Sequence, residues 1–193
     1  MRTLIGTFAL VLMLALVPGT LDGQALPTAS GPGSYIAVGG GASVFEADYG
    51  QRYIGGGFVY VDVHPTWRYG IESEVRYLQI HTSQRVTEDT YLIGLKIAFR
   101  PSHIRPYAKF LVGAGHINLP YGYAEGTFLN FTPGGGVDYS LGKRLTARLV
   151  DVEYQLWPQF PYGQLKPYGI SFGISYRLNA MEEFPKNGRR VRK

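Results

Sequence analysis

The sequence predicts an all-β fold, an eight-stranded antiparallel up-and-down barrel, and three observations lead there. Eight runs of roughly ten residues place bulky apolar side chains at every second position. The links between the runs alternate between compact turns and longer, more polar loops. Charged residues are only 17% of the 193-residue chain, against about a quarter in an ordinary soluble domain, while glycine and tyrosine are abundant. That mixture suits strands with one apolar face and one small or polar face.

The elements follow in order. Met1-Arg2-Thr3 is a short basic start, and Leu4–Val17 is an unbroken apolar run ended by Pro18 and Gly19. Gly23 and Ala25 then offer small residues at the two cleavage-selecting places, so residues 1–25 are expected to be a secretory signal peptide. Residues 26–33 read as a flexible lead-in, 34–179 as the barrel and 180–193 as a disordered basic periplasmic tail. Within the barrel the eight runs are Tyr35–Phe45, Tyr53–Val63, Ile71–Ile80, Thr90–Phe99, Tyr107–His116, Phe128–Tyr139, Leu145–Gln155 and Tyr168–Leu178. A tilted strand needs about 9–11 residues to cross a bilayer, which these lengths meet.

The faces decide the environment. In the last run Tyr168, Ile170, Phe172, Ile174, Tyr176 and Leu178 alternate with Gly169, Ser171, Gly173, Ser175 and Arg177. Likewise Tyr91, Ile93, Leu95, Ile97 and Phe99 oppose Thr90, Leu92, Gly94, Lys96 and Ala98. With the bulky faces inward, the outside would be glycine and serine with few charges, a poor surface for a soluble protein. With them outward in lipid, the small and charged residues fill a narrow lumen. A charge on the lipid side near the midplane costs roughly 2–4 kcal/mol, so the outward reading wins. The predicted class is therefore a transmembrane β-barrel. One run resists: in Leu145–Gln155, Asp151, Glu153 and Gln155 share the parity of the apolar Leu145 and Leu149, and Arg148 has the other. Either Arg148 snorkels at the inner interface or a bulge shifts the register between Arg148 and Asp151; the bulge is favoured.

Placing the charges inside predicts a cluster. Folding the hairpins puts Asp62 opposite Glu72, Glu74 opposite Lys96, and Lys109 beside Lys96. Asp62, Glu72, Glu74, Lys96 and Lys109 should then meet in the periplasmic half, extended by Asp138 and Arg177, with Arg76 standing higher. Such groups must satisfy one another, because each unpaired charge costs several kcal/mol to desolvate. Aromatic residues at run ends predict two interfacial girdles. Tyr35, Trp67, Tyr69, Phe99, Tyr107, Tyr139 and Tyr176 lie beside the compact turns, and Tyr77, Tyr91, Tyr154, Trp157 and Tyr168 near the longer loops.

The stretches RYGIESEVRYL, RPYAKFLVGAG, DVEYQLW and KPYGISFGISYRL resemble the small eight-stranded outer-membrane barrels of Gram-negative-type bacteria, the OmpA/OmpX-like barrel domain. The resemblance spans roughly Tyr35 to Leu178 and implies residence in the outer membrane. Such barrels commonly end on an aromatic residue that closes the last strand, whereas here a tail continues to Lys193. No peptidoglycan-binding domain follows the barrel, so wall anchoring is not implied.

Other motifs reduce to structure. The glycine triplets Gly39–Gly41, Gly55–Gly57 and Gly134–Gly136 precede no helix, so they are read as sites of curvature and close packing, not phosphate loops. His64, His81, His103 and His116 lack metal-ligand spacing, and the chain has no cysteine. Near the outer rim, His116 has no close serine; Ser83 lies near His81, with only Glu88 or Asp89 to orient it. The net charge of +5 comes mostly from Lys186, Arg189, Arg190, Arg192 and Lys193, so the body carries no nucleic-acid footprint. The functional expectation is a monomeric, non-catalytic barrel without cofactor or metal, in contact with outer-membrane lipid. It would be structural, or would bind a surface ligand through outer loops such as Asn118–Thr127. The alternatives are a lipid-modifying barrel enzyme and a soluble lipocalin-like carrier.

Overall fold

The computed structural model describes residues 34–48, 53–80, 86–100, 102–118, 125–159 and 163–178. The expected signal peptide, lead-in and basic tail therefore lie outside the described residues, as do His81, Ser83 and residues 119–124.

Eight strands form: β1 (Tyr35–Glu46), β2 (Tyr53–His64), β3 (Tyr69–Ile80), β4 (Val86–Ala98), β5 (Ile104–Asn118), β6 (Glu125–Ser140), β7 (Leu145–Tyr154) and β8 (Tyr168–Arg177). Each pairs antiparallel with the next, and β8 closes on β1 with Ala37 opposite Arg177, giving a closed barrel. The strands β3 to β6 are longer than the alternation implied, because polar residues such as Thr87 and Glu88 continue the ladder beyond the apolar stretch. The β3–β4 hairpin is accordingly tighter, with Ile80 opposite Val86. This moves the register by four residues from the expected one: Glu74 faces Leu92, and Lys96 faces Gly70. The other two expected pairings hold, Asp62 with Glu72 and Lys96 with Lys109.

The period of two is written in the burial. Along β2 the pattern alternates from Tyr53 to His64, and Val59, Val61 and Val63 are exposed while Phe58, Tyr60 and Asp62 are buried. Ile93, Leu95, Phe110, Val152, Phe172 and Ile174 stand on the outside, each about half exposed or more. Glu72, Glu74, Arg76, Lys96 and Lys109 are inside. The arrangement expected of a lipocalin-like carrier, bulky faces inward, is thus reversed.

In β7 the register shifts between Arg148 and Asp151, where β6 skips from Val137–Val150 to Asp138–Arg148. This bulge turns Arg148 and Asp151 both into the lumen. Glycines let neighbouring strands approach: a Cβ on Gly41 would meet the Phe172 carbonyl oxygen at 1.8 Å.

Candidate functional site

The lumen holds two layers, and strand parity builds both. The lower and middle layer is an ion network. Lys96, from β4, places its Nζ 2.9 Å from Asp62, 3.1 Å from Glu72 and 3.2 Å from Asp138. Lys109, its neighbour on β5, donates to Glu72 at 2.9 Å, Glu74 at 3.4 Å and Asp151 at 2.6 Å, and pairs with Glu153 at 2.5 Å. Arg148 reaches Glu72 at 2.6 Å and Asp151 at 3.1 Å, and its guanidinium lies 3.7 Å over the Tyr60 ring. Arg76 stands above them, donating to Glu153 at 2.5 Å and paired with Glu74 at 2.6 Å, its guanidinium 4.3 Å over Phe45.

Six carboxylates (Asp62, Glu72, Glu74, Asp138, Asp151, Glu153) thus share four cations (Arg76, Lys96, Lys109, Arg148). The remaining balance comes from the floor. There Arg105 and Arg177 stack over Tyr35, at 5.6 and 5.0 Å, and Arg177 donates to Ser140. Geometry of this kind neutralises charge in a small volume; every member of the central group is nearly inaccessible to solvent. Glu72, Glu74 and Asp151 bring carboxylate oxygens within 4.8 Å of one another, which a metal ion could use. The Lys109 ammonium lies among the same oxygens and supplies the positive charge itself.

The expected site residues divide as follows. Asp62, Glu72, Glu74, Lys96, Lys109 and Asp138 come together, and Arg76 sits higher, as its position on β3 requires. Glu74 pairs with Arg76 and Lys109, not with Lys96 as the sequence implied, because of the tighter β3–β4 hairpin. Arg177 belongs to the floor, beside Tyr35 and Ser140. Arg148, Asp151 and Glu153 complete the network but were outside the expected cluster; the bulge hides their shared parity.

Among the aromatic residues, Tyr69, Tyr77, Tyr91, Phe99, Tyr139, Tyr154, Tyr168 and Tyr176 are exposed on the outside, and Trp67 is half-buried in its turn. Tyr35, Tyr107 and Trp157 are not: they are buried within the barrel. Tyr35 and Tyr107 sit at strand ends but on the luminal parity, Tyr35 stacked on His64 at 4.4 Å and Tyr107 beneath Lys96.

Trp157 belongs to the upper layer, which the sequence reading missed. After β7 the chain bends inward, bridging Leu156 to Phe131 and Trp157 to Leu165. Trp157 then packs with Phe45, Ile54, Leu78, Val86 and Ile117 in an apolar cluster above the ions. Gly115 leaves the room; a Cβ there would lie 2.1 Å from the indole. The indole N–H donates to Gln155, which accepts also from Asn130, and Thr132 donates to Asn130. Asp48, at a positive φ of 47°, accepts the Lys166 backbone N–H and ties the first outer loop to the last.

At the outer rim β4, β5 and β6 align Asp89, His116 and Thr127 in one outward-facing row. His116 Nδ1 lies 3.3 Å from the Thr127 hydroxyl. Residues 81–83 lie outside the described region, so the Ser83–His81 pairing has no described geometry.

An apolar exterior one strand-length tall around a charged, filled interior defines a class: the transmembrane β-barrels with side-chain-packed lumens. No protein-family model matches the chain, and no curated protein sequence matches it. Solved structures do. Neisserial surface protein A superposes with a TM-score of 0.61 at 10% identity, over 75% of this chain and 96% of that one. OprG of Pseudomonas aeruginosa gives 0.55 at 13%, over 77% and 97%. Ail, the attachment invasion locus protein of Yersinia pestis, gives 0.51 at 15%, over 77% and 100%. The chain carries the fold of the small outer-membrane β-barrels.

Proposed function

We propose that the protein resides in the outer membrane as a closed, non-catalytic barrel and acts through its outer loops, structurally or by binding a surface ligand. The observation that carries this reading is the lumen: Lys109 sits among four carboxylates with no side-chain exposure on any partner, and the Trp157 cluster covers that layer. A path for solute would need both layers to part.

Similarity in fold supports a surface ligand: Ail has been solved in complex with the heparin analogue sucrose octasulfate. The described outer rim of this chain presents Glu46 and Asp48 against Lys166, which favours a neutral or cationic ligand over a polyanion. Reconstitution in planar bilayers tests the closed lumen. The reading expects no steady conductance, and an ohmic, water-filled conductance would overturn it. Mass spectrometry of envelope lipids, with and without the gene, tests the absence of catalysis: a lipid changed only when the gene is present would contradict it.

A further inference from the structure

The three compact turns at the lower end of the barrel carry cations and no acid. Between β2 and β3 stands Arg68, between β4 and β5 Arg100, and between β6 and β7 Lys143 and Arg144. No Asp or Glu occurs in residues 63–71, 99–107 or 139–147. Arg68, Arg100, Lys143 and Arg144 are all exposed.

These turns form one rim, because backbone hydrogen bonds link each to its neighbour. The Arg68 carbonyl accepts the Ala98 N–H at 2.7 Å, the His103 carbonyl accepts the Ser140 N–H at 2.8 Å, and the Arg144 carbonyl accepts the Arg177 N–H at 2.7 Å. Directly above the cations lies the apolar exterior, with Tyr69, Phe99, Leu141, Leu145 and Tyr176 exposed. The guanidinium of Arg68 lies 5.6 Å over the Tyr69 ring, and Arg144 donates to the Tyr176 hydroxyl at 2.7 Å. The Arg68 and Arg144 heads are therefore held at the level where rings end and water begins, which is where lipid phosphates lie.

We propose that this rim binds anionic phospholipid headgroups, of the phosphatidylglycerol type, in the leaflet that the compact turns face. A rim whose turns hold Arg68, Arg100, Lys143 and Arg144 attracts an anionic surface within a Debye length, and guanidinium groups pair bidentately with phosphodiester oxygens. The described outer rim, with Glu46 and Asp48, lacks this character, so the selectivity belongs to one leaflet only.

The proposal rests on the barrel being embedded in a bilayer, and the test separates the two. Trp67, half-buried in the first of these turns, reports on lipid near the rim, while Trp157 is sealed in the barrel. The full chain is reconstituted in mixed vesicles of phosphatidylcholine and phosphatidylglycerol, with bromine on one lipid or the other. Brominated phosphatidylglycerol should quench Trp67 about twofold more than brominated phosphatidylcholine at equal fraction, with parity approached at about 1 M salt, where the Debye length is about 3 Å. The Arg68→Gln, Arg100→Gln, Lys143→Gln, Arg144→Gln variant should lose the preference while still floating with vesicles. Equal quenching by the two lipids in the wild type overturns the proposal, as does a preference that survives in the variant. Loss of the preference to inorganic phosphate, but not to chloride of equal ionic strength, would make the ligand a soluble anion and overturn it too. Failure of the wild type to float would instead sink the membrane reading beneath it.

Discussion

Replacing Arg148 by methionine removes the most connected cation in the lumen while keeping most of its volume. Arg148 lies within 2.6–3.6 Å of Asp62, Glu72, Asp138 and Asp151. Removing one partner of a buried ion pair typically costs about 3–5 kcal/mol, because the carboxylate left behind has neither partner nor water. Here Glu72 keeps Lys96 and Lys109, and Asp151 keeps Lys109, so the ionic loss belongs at the lower end, about 3 kcal/mol. The guanidinium stacked on Tyr60 adds roughly 1 kcal/mol. The expected destabilisation of Arg148→Met is thus about 4 kcal/mol. Urea titration in lipid vesicles, followed by the folded band on unheated gels, measures it. Adding Glu72→Gln removes the most exposed consequence, an under-compensated carboxylate, so the double variant should recover at least about 1 kcal/mol over the sum of the two single losses. A cost below about 0.5 kcal/mol for Arg148→Met, typical of a surface change, would refute the reasoning, and so would strict additivity of the pair.

Three further outcomes are expected. Lys109→Ala leaves Glu72, Glu74 and Asp151 with oxygens within 4.8 Å and without their ammonium, so refolding with calcium should stabilise this variant by about 2–3 kcal/mol at a hundredfold excess over the dissociation constant; no difference between calcium and chelator contradicts it. Leu95→Arg puts a charge on the exposed apolar exterior and should cost about 2–4 kcal/mol in vesicles relative to Leu95→Ala, measured by the same titration; equal stability of the two argues against lipid at that face. Gly115→Leu fills the space of the Trp157 indole, so its tryptophan emission should shift to the red as Trp157 leaves its apolar cluster; an unchanged spectrum would place the indole elsewhere.

Strand number, up-and-down order and the outward apolar face were legible because period-two alternation survives any local detail, as in Val59, Val61 and Val63 against Phe58, Tyr60 and Asp62. Register was less legible. Polar Thr87 to Asp89 read as loop, yet they continue β4, since the strand ends reach past the apolar band and need no lipid-facing hydrophobe. That single misreading set Glu74 against Lys96. The bulge at Arg148 is visible in the sequence as a parity conflict, and with the register reset there Asp151 and Glu153 have to join the lumen. The apolar upper layer also left a signal. Ile54, Leu78 and Ile117 share parity with Phe58, Arg76 and Lys109, so hydrophobes were already due inside near the outer end. Trp157 had no such signal, because the loop that inserts it obeys no period. Tyr35 and Tyr107 show that an aromatic residue at a strand end is assigned by its parity, not by its height.

The orientation of the strands in lipid carries everything else, and β8 tests it most directly in a chain without native cysteine. Spin labels on Phe172→Cys, Ile174→Cys and Tyr176→Cys in vesicles should show high oxygen and low aqueous-nickel accessibility, while labels on Ser171→Cys and Ser175→Cys should be shielded from both. Nickel accessibility at the first three positions, or no alternation along the strand, would contradict the account.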